Sequence, residues 1–149
     1  MKNGIIIGVV FVGLLLLMGW FSRSAERNTD PGDIVSRDGL HTHALLQIFD
    51  HGTQIDIPSD IGLIGGHNPM HTHDPDGTIH MEYEGLVTKD DIKLGRFFEV
   101  WKKDFSSEKV LDFMNGENGT IQMFVNGEIN NQFGDYEMQD GDTIEIRYE

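Results

Sequence analysis

Hydrophobic and polar positions change their rhythm several times along the chain, and each rhythm predicts a different element. Residues 4–21 form an uninterrupted apolar run that would be about 27 Å long as a helix at ~1.5 Å per residue, close to the thickness of a bilayer core. This predicts an N-terminal transmembrane anchor, or an uncleaved signal, over residues 1–21. Trp20 and Phe21 would sit at the interface. Residues 22–38 are polar, contain Pro31 and Gly32, and read as a tether.

Beyond residue 38 the period shortens to two. Ala44, Leu46 and Ile48 fall at every second position and share one face, and Ile55 and Ile57 alternate again after Asp50-His51-Gly52, which predicts a hairpin. Residues 59–77 are rich in Gly, Pro, Asp and His and are expected to form a loop. Residues 78–83 alternate once more, with Ile79, Met81 and Tyr83 on one side and His80 and Glu82 on the other. At 94, 97, 98, 101 and 105 the bulky residues follow helical spacing and predict one apolar helix face reaching Phe105. Residues 110–113 are a strand or a turn of helix. Residues 120–125, ending at Asn126-Gly127, and 143–148, preceded by Asp140-Gly141-Asp142, are further strands.

These elements make an α+β domain over residues 39–149, with a mixed sheet and one packed helix. Its closing segment resembles the end of β-grasp (ubiquitin-like) domains. Sulfur carriers of that fold end in Gly-Gly, whereas this chain ends Arg147-Tyr148-Glu149, so the resemblance implies fold alone.

Charge narrows the class. Against 11 Lys and Arg stand 25 Asp and Glu, a formal charge of −14, and residues 28–149 carry 8 basic and 24 acidic side chains. So acidic a balance offers no basic surface to displace counterions from phosphates, so nucleic acid is excluded as a partner. The chain has no Cys, which excludes thiol catalysis, iron–sulfur ligation and thiolate zinc sites. With the anchor, the expected placement is a single-pass protein of the cell membrane, its domain on the extracytoplasmic side, with a membrane-protein partner as a possible neighbour.

The histidines are distributed unevenly. All seven lie between positions 41 and 80, and His-Thr-His occurs at 41–43 and again at 71–73. Strand parity puts His41, His43 and His80 on the face opposite the core, and the loop carrying His67, His71 and His73 can fold over that face. Converging imidazoles bind Cu²⁺ or Zn²⁺. The candidate ligands are His41, His43, His67, His71, His73 and His80, with Asp74 and Glu82 placed to hold ring N–H groups in one tautomer. His51 reads as a turn residue. Met70 is a further soft donor for copper, whereas parity places Met81 in the core.

His41-Thr42-His43, Ile57-Pro58 with Ile61-Gly62, His71-Thr72-His73-Asp74, Ile79-His80-Met81-Glu82 and Leu94-Gly95-Arg96-Phe97-Phe98 also resemble an uncharacterised group of bacterial and archaeal proteins. That group has a hydrophobic N-terminal segment and the pattern HxHxxL, IPxxIG, HTHDxxGxIHxE, LGxFFxxW. The resemblance covers residues 40–149 and implies the domain limits and the weight of the motif, but no reaction. Where many members carry a Cys before HTHD, this loop reads Gly66-His67-Asn68-Pro69-Met70, which makes His67 the substitute ligand. Three functions fit these features: a tethered domain for copper or zinc capture and delivery, serving alone or as an accessory subunit of a membrane complex; a His-ligated metal hydrolase; and a non-metal interaction module.

Overall fold

Eleven short strands and one helix account for the regular structure of residues 29–149, the residues that the computed structural model describes. After a 3₁₀ turn at Pro31–Asp33 come β1 (Ile34–Ser36), β2 (Leu40–Asp50), β3 (Thr53–Ile55), β4 (Met70–His71), β5 (Thr78–Tyr83) and β6 (Val87–Thr88). A second 3₁₀ turn (Lys89–Ile92) leads into α1 (Leu94–Trp101). β7 (Lys109–Val110), β8 (Phe113–Met114), β9 (Ile121–Val125), β10 (Glu128–Ile129) and β11 (Asp142–Tyr148) follow.

The main sheet runs β10-β9-β11-β2-β5-β4, with β3 also on β2. β11 lies parallel to β2 in the register Ile144↔Leu46, and the other pairs are antiparallel. The sheet-rich fold is compatible with the β-grasp likeness. Alternation explains the core: Ala44, Leu46, Ile48, Ile79, Met81, Met123, Ile144 and Ile146 are all buried on one face. Leu94, Phe97 and Phe98 of α1 are buried in the same core. Each of those two rings contributes about 1.5–3 kcal/mol through burial.

The helix stops earlier than its apolar spacing suggests. Lys102 adopts a left-handed conformation (φ 61°, ψ 40°), and the N–H groups of Lys102 and Lys103 cap the carbonyls of Glu99 and Phe98. Phe105 nevertheless joins the aromatic stripe from outside the helix, stacked on Phe98 with ring centroids 4.3 Å apart. Residues 109–114 are the small β7–β8 hairpin.

Two turns hold β2 in place. His51 and Gly52 (φ 46° and 78°) close the hairpin to β3, and the His51 ring bridges Asp50 and the carbonyl of Asn118. At the other end, buried Asp142 accepts hydrogen bonds from the Tyr136 hydroxyl (2.6 Å), Asn126 Nδ2 (2.9 Å) and the Gln139 N–H (2.7 Å). Beside it, Gly141 donates to the His43 carbonyl and Asp140 Oδ1 accepts the His43 N–H.

Two expectations need correction. The structure is mostly sheet, and its one described helix spans eight residues. Among the described residues no helix is long and apolar enough to cross a membrane. The α+β reading with a transmembrane helix therefore gives way to a sheet-dominated domain, and the single-pass, extracytoplasmic placement has no support. The apolar run at 4–21 lies outside the described residues. The compact unit begins at Pro31, and β1 pairs with β6, so regular structure starts within the segment read as a tether. The loop at 59–77 also contains a strand, β4, on the outer edge of β5.

Gly77, which ends that loop, has φ +84°, and a Cβ there would collide with the carbonyl oxygen of Leu46. Leu46 N–H is itself bonded to the Gly77 carbonyl at 2.9 Å, so neither backbone can yield freely. Gly77→Ala is expected to destabilise the domain by at least ~2 kcal/mol. Urea unfolding checks this, as a lower midpoint at unchanged slope.

Candidate metal centre

The register of three strands builds the centre. β5 runs between β2 and β4, and His80 pairs with His43 on one side and with His71 on the other. One step along, Glu82 pairs with His41. Since Met81 pairs with Thr42 and Met70 and points into the core, His80 and Glu82 must project from the opposite face. Imidazoles from three neighbouring strands are thus forced into one row.

The second His-Thr-His is held by its middle residue. Thr72 is fully buried, its hydroxyl donates to the Pro58 carbonyl at 2.9 Å, and it accepts the Ile61 N–H at 3.2 Å. Its backbone pairs with Asp60 and Ile61. With Thr72 fixed on one side of the extended segment, His71 and His73 emerge together on the other.

His71 has 0 % exposure, although it lies on the face away from the core. Its Nδ1 is 2.9 Å from the Asn68 carbonyl oxygen, an atom that only accepts, so Nδ1 carries the proton and Nε2 keeps its lone pair. That Nε2 is 3.1 Å from Nε2 of His73. Two nitrogens bound tetrahedrally to one ion at ~2.0–2.1 Å lie roughly 3.3–3.4 Å apart, so the pair is already spaced as co-ligands. His80 packs on both rings, 5.3 Å from His71 in a stacked arrangement and 4.7 Å from His73 edge-on. Its Nδ1 is buried without a hydrogen-bond partner, the nearest carboxylate being Glu82 Oε1 at 3.8 Å. A buried polar nitrogen left unpaired is costly, and a cation would relieve it.

Together His71, His73, His80 and Glu82 offer donor atoms all within 4.8 Å of one another, a group that could hold a metal ion. Glu82 lies close enough to count among the possible donors of the group. His41 and His43 form a second group with the same Glu82, and His41 Nε2 is 3.4 Å from Oε1. His67 is exposed, its ring 4.7 Å from that of His71, and it belongs to neither group. Asp74 is exposed and shares no hydrogen bond or ion pair with the rings. Met70 is buried against the core and turned away from the histidines, as Met81 is. His51 stands apart at its turn. Sequence reasoning did not single out Asn68, whose carbonyl sets the His71 tautomer, or Asp140, which holds the His43 backbone. Neither lies in a periodic segment, and a carbonyl acceptor has no residue-type signature.

No protein-family model, curated protein or solved structure matches the chain, so the centre is interpreted from its own geometry.

Burial is the main cause that lowers the pKa of both His71 and His80 from the ordinary 6.5. Neighbouring imidazoles (His73 and His67 beside His71; His43, His73 and His71 around His80) lower them further, against the opposing hydrogen bond from His71 to the Asn68 carbonyl and a pull from Glu82 on both. The neutral, lone-pair-bearing forms are thereby favoured in the fold. Below pH ~6.5 the unfolded chain takes up protons at these two positions that the native state resists, so native stability falls with acid. Metal-free protein is expected to lose stability progressively from pH ~6.5 downward, with the loss ending once the native imidazoles protonate too. His71→Gln with His80→Gln should flatten this part of the profile. Urea midpoints measured between about pH 5 and 7.5 provide the check.

Proposed function

We propose that this domain captures and hands on a divalent first-row metal ion, zinc or copper(II), held by His71, His73, His80 and Glu82. The observation that carries the reading is the convergence of these four donors within 4.8 Å on one face of the sheet. The unpaired His80 Nδ1 and the fixed tautomer of His71 support it, because both present lone pairs where a cation would sit. Imidazole and carboxylate are borderline and hard donors, which suit Zn²⁺ and Cu²⁺ and disfavour the Cu(I) that thiolates select. Four protein donors make a closed tetrahedral set without a reserved position for water, which favours binding over hydrolysis. The acidic surface adds a general attraction for cations.

Equilibrium dialysis of the full chain against Zn²⁺ or Cu²⁺, followed by elemental analysis, tests the proposal. At pH 7.5 the expected result is tight uptake that weakens below pH ~6, as protons compete for the imidazoles. Loss of a partner that merely orients a ligand costs about 10–100-fold in affinity, so the double variant His71→Ala/His73→Ala, which removes two donors, should lose more than ~100-fold. Wild-type protein that retains no ion at pH 7.5 would remove the reading.

A further inference from the structure

Glu82 is shared by both groups of donors. The four-donor group uses a complete tetrahedral set, which leaves His41 and His43 unengaged. They come from β2, on the opposite flank of β5 from β4, so β2 and β4 are two strand spacings or about 9–10 Å apart. The only donor common to the two sides is Glu82 on the strand between them. Its Oε1 is 3.4 Å from His41 Nε2 and 3.8 Å from His80 Nδ1. The His43 and His80 rings meet edge-on at 4.6 Å, with the His41 ring 5.1 Å from that of His43. The two groups therefore adjoin across a single carboxylate.

We infer that the domain takes two divalent ions, the second held by His41, His43 and Glu82, with the Glu82 carboxylate bridging the pair. A carboxylate spans the ~3.5–4 Å that separates ions in two-metal sites, and its charge offsets the repulsion between them. The two positions differ in character. The first group combines a sealed His71 with an exposed His73, whereas in the second the His41 side chain is 67 % exposed and no donor is sealed. The second ion has only three protein donors, and its open side faces a groove of about 780 Å³ lined by His41, Glu82, Asp38, Glu84, Tyr83 and His67. Asp38 and Glu84 make the groove anionic, so it suits an incoming aquated cation. The first position, with four donors, holds its ion more tightly, and the second, with three donors and an open side, exchanges with solvent and shares a ligand with it.

This inference rests on the metal reading above, and one titration separates the two. Full-length protein is titrated with Cu²⁺ at pH 7.5, with bound metal counted by elemental analysis and the spin state followed by EPR. The expected result is two ions per chain, the second bound at least ~10-fold more weakly because its ligands are solvated and its neighbour is cationic. Between one and two equivalents the ordinary Cu²⁺ signal should diminish and a half-field transition appear, as an ion pair ~4 Å apart requires. His41→Ala/His43→Ala should bind one ion, with the first affinity within about threefold of wild type and no half-field signal. Glu82→Gln should abolish the coupling; circular dichroism confirms that each variant folds. Saturation at one ion, unchanged by His41→Ala/His43→Ala, would overturn the second site and leave the first intact. Two ions without magnetic coupling would overturn the bridge, and no bound ion would overturn both readings.

Discussion

Everything in the candidate centre depends on the pairing of β5 with a strand on each side. The β pleat allows a side chain only two directions, and the core claims one of them through Ile79 and Met81. His80 and Glu82 are left the other. Because β2 and β4 are locked to β5 in register, their residues opposite His80 must be the histidines His43 and His71. A slip of one residue in either strand would exchange the core and outer faces and bury imidazoles against leucine and isoleucine. The hydrophobic core thus enforces the position of the polar cluster, and the buried Ala44, Leu46 and Ile48 contribute to that geometry without touching it.

Parity made half of this legible before any coordinates. The alternation of residues 43–49 and 78–83 was enough to place His41, His43 and His80 on the non-core face and Met81 in the core. The helix was legible from its stripe, although its end was not: Lys102 breaks it in a left-handed conformation, for which lysine gives no particular signal. β4 was hidden because a two-residue strand is too short to show a period and lies among glycines and prolines. The clue was the alternation Met70-His71-Thr72-His73, which repeats the sense of the first His-Thr-His. That Glu82 lies beside both groups of histidines is set by cross-strand register and is invisible to local spacing. Asp74, adjacent in sequence to His73, is exposed and lies in neither group of possible donors. Residues 1–28 lie beyond what the structure describes, and the described helix gives the membrane reading no support.

The two His-Thr-His motifs are alike in sequence and differ in setting. The first lies within an eleven-residue strand, paired with β5 and held at its backbone by Asp140 and Gly141. The second lies at the end of an edge strand and takes its rigidity from the buried Thr72 hydroxyl. One motif is positioned within a long paired strand and the other by a two-residue edge pairing reinforced by Thr72. The same tripeptide presents an exposed His41 in one setting and a sealed His71 in the other.

The brevity of β4 has a kinetic consequence. Two residues paired with β5, backbone bonds to the Asp60–Ile61 turn and the buried Thr72 hydroxyl fasten the His71–His73 segment at the sheet edge, so local opening there would leave the pairing of β2 with β11 intact. An ion held between that segment and β5 would act as a rivet across the sheet edge. Its residence time would be governed by local opening there, while the durability of the fold is governed by the core beneath. The two lifetimes would then be set by different parts of the molecule.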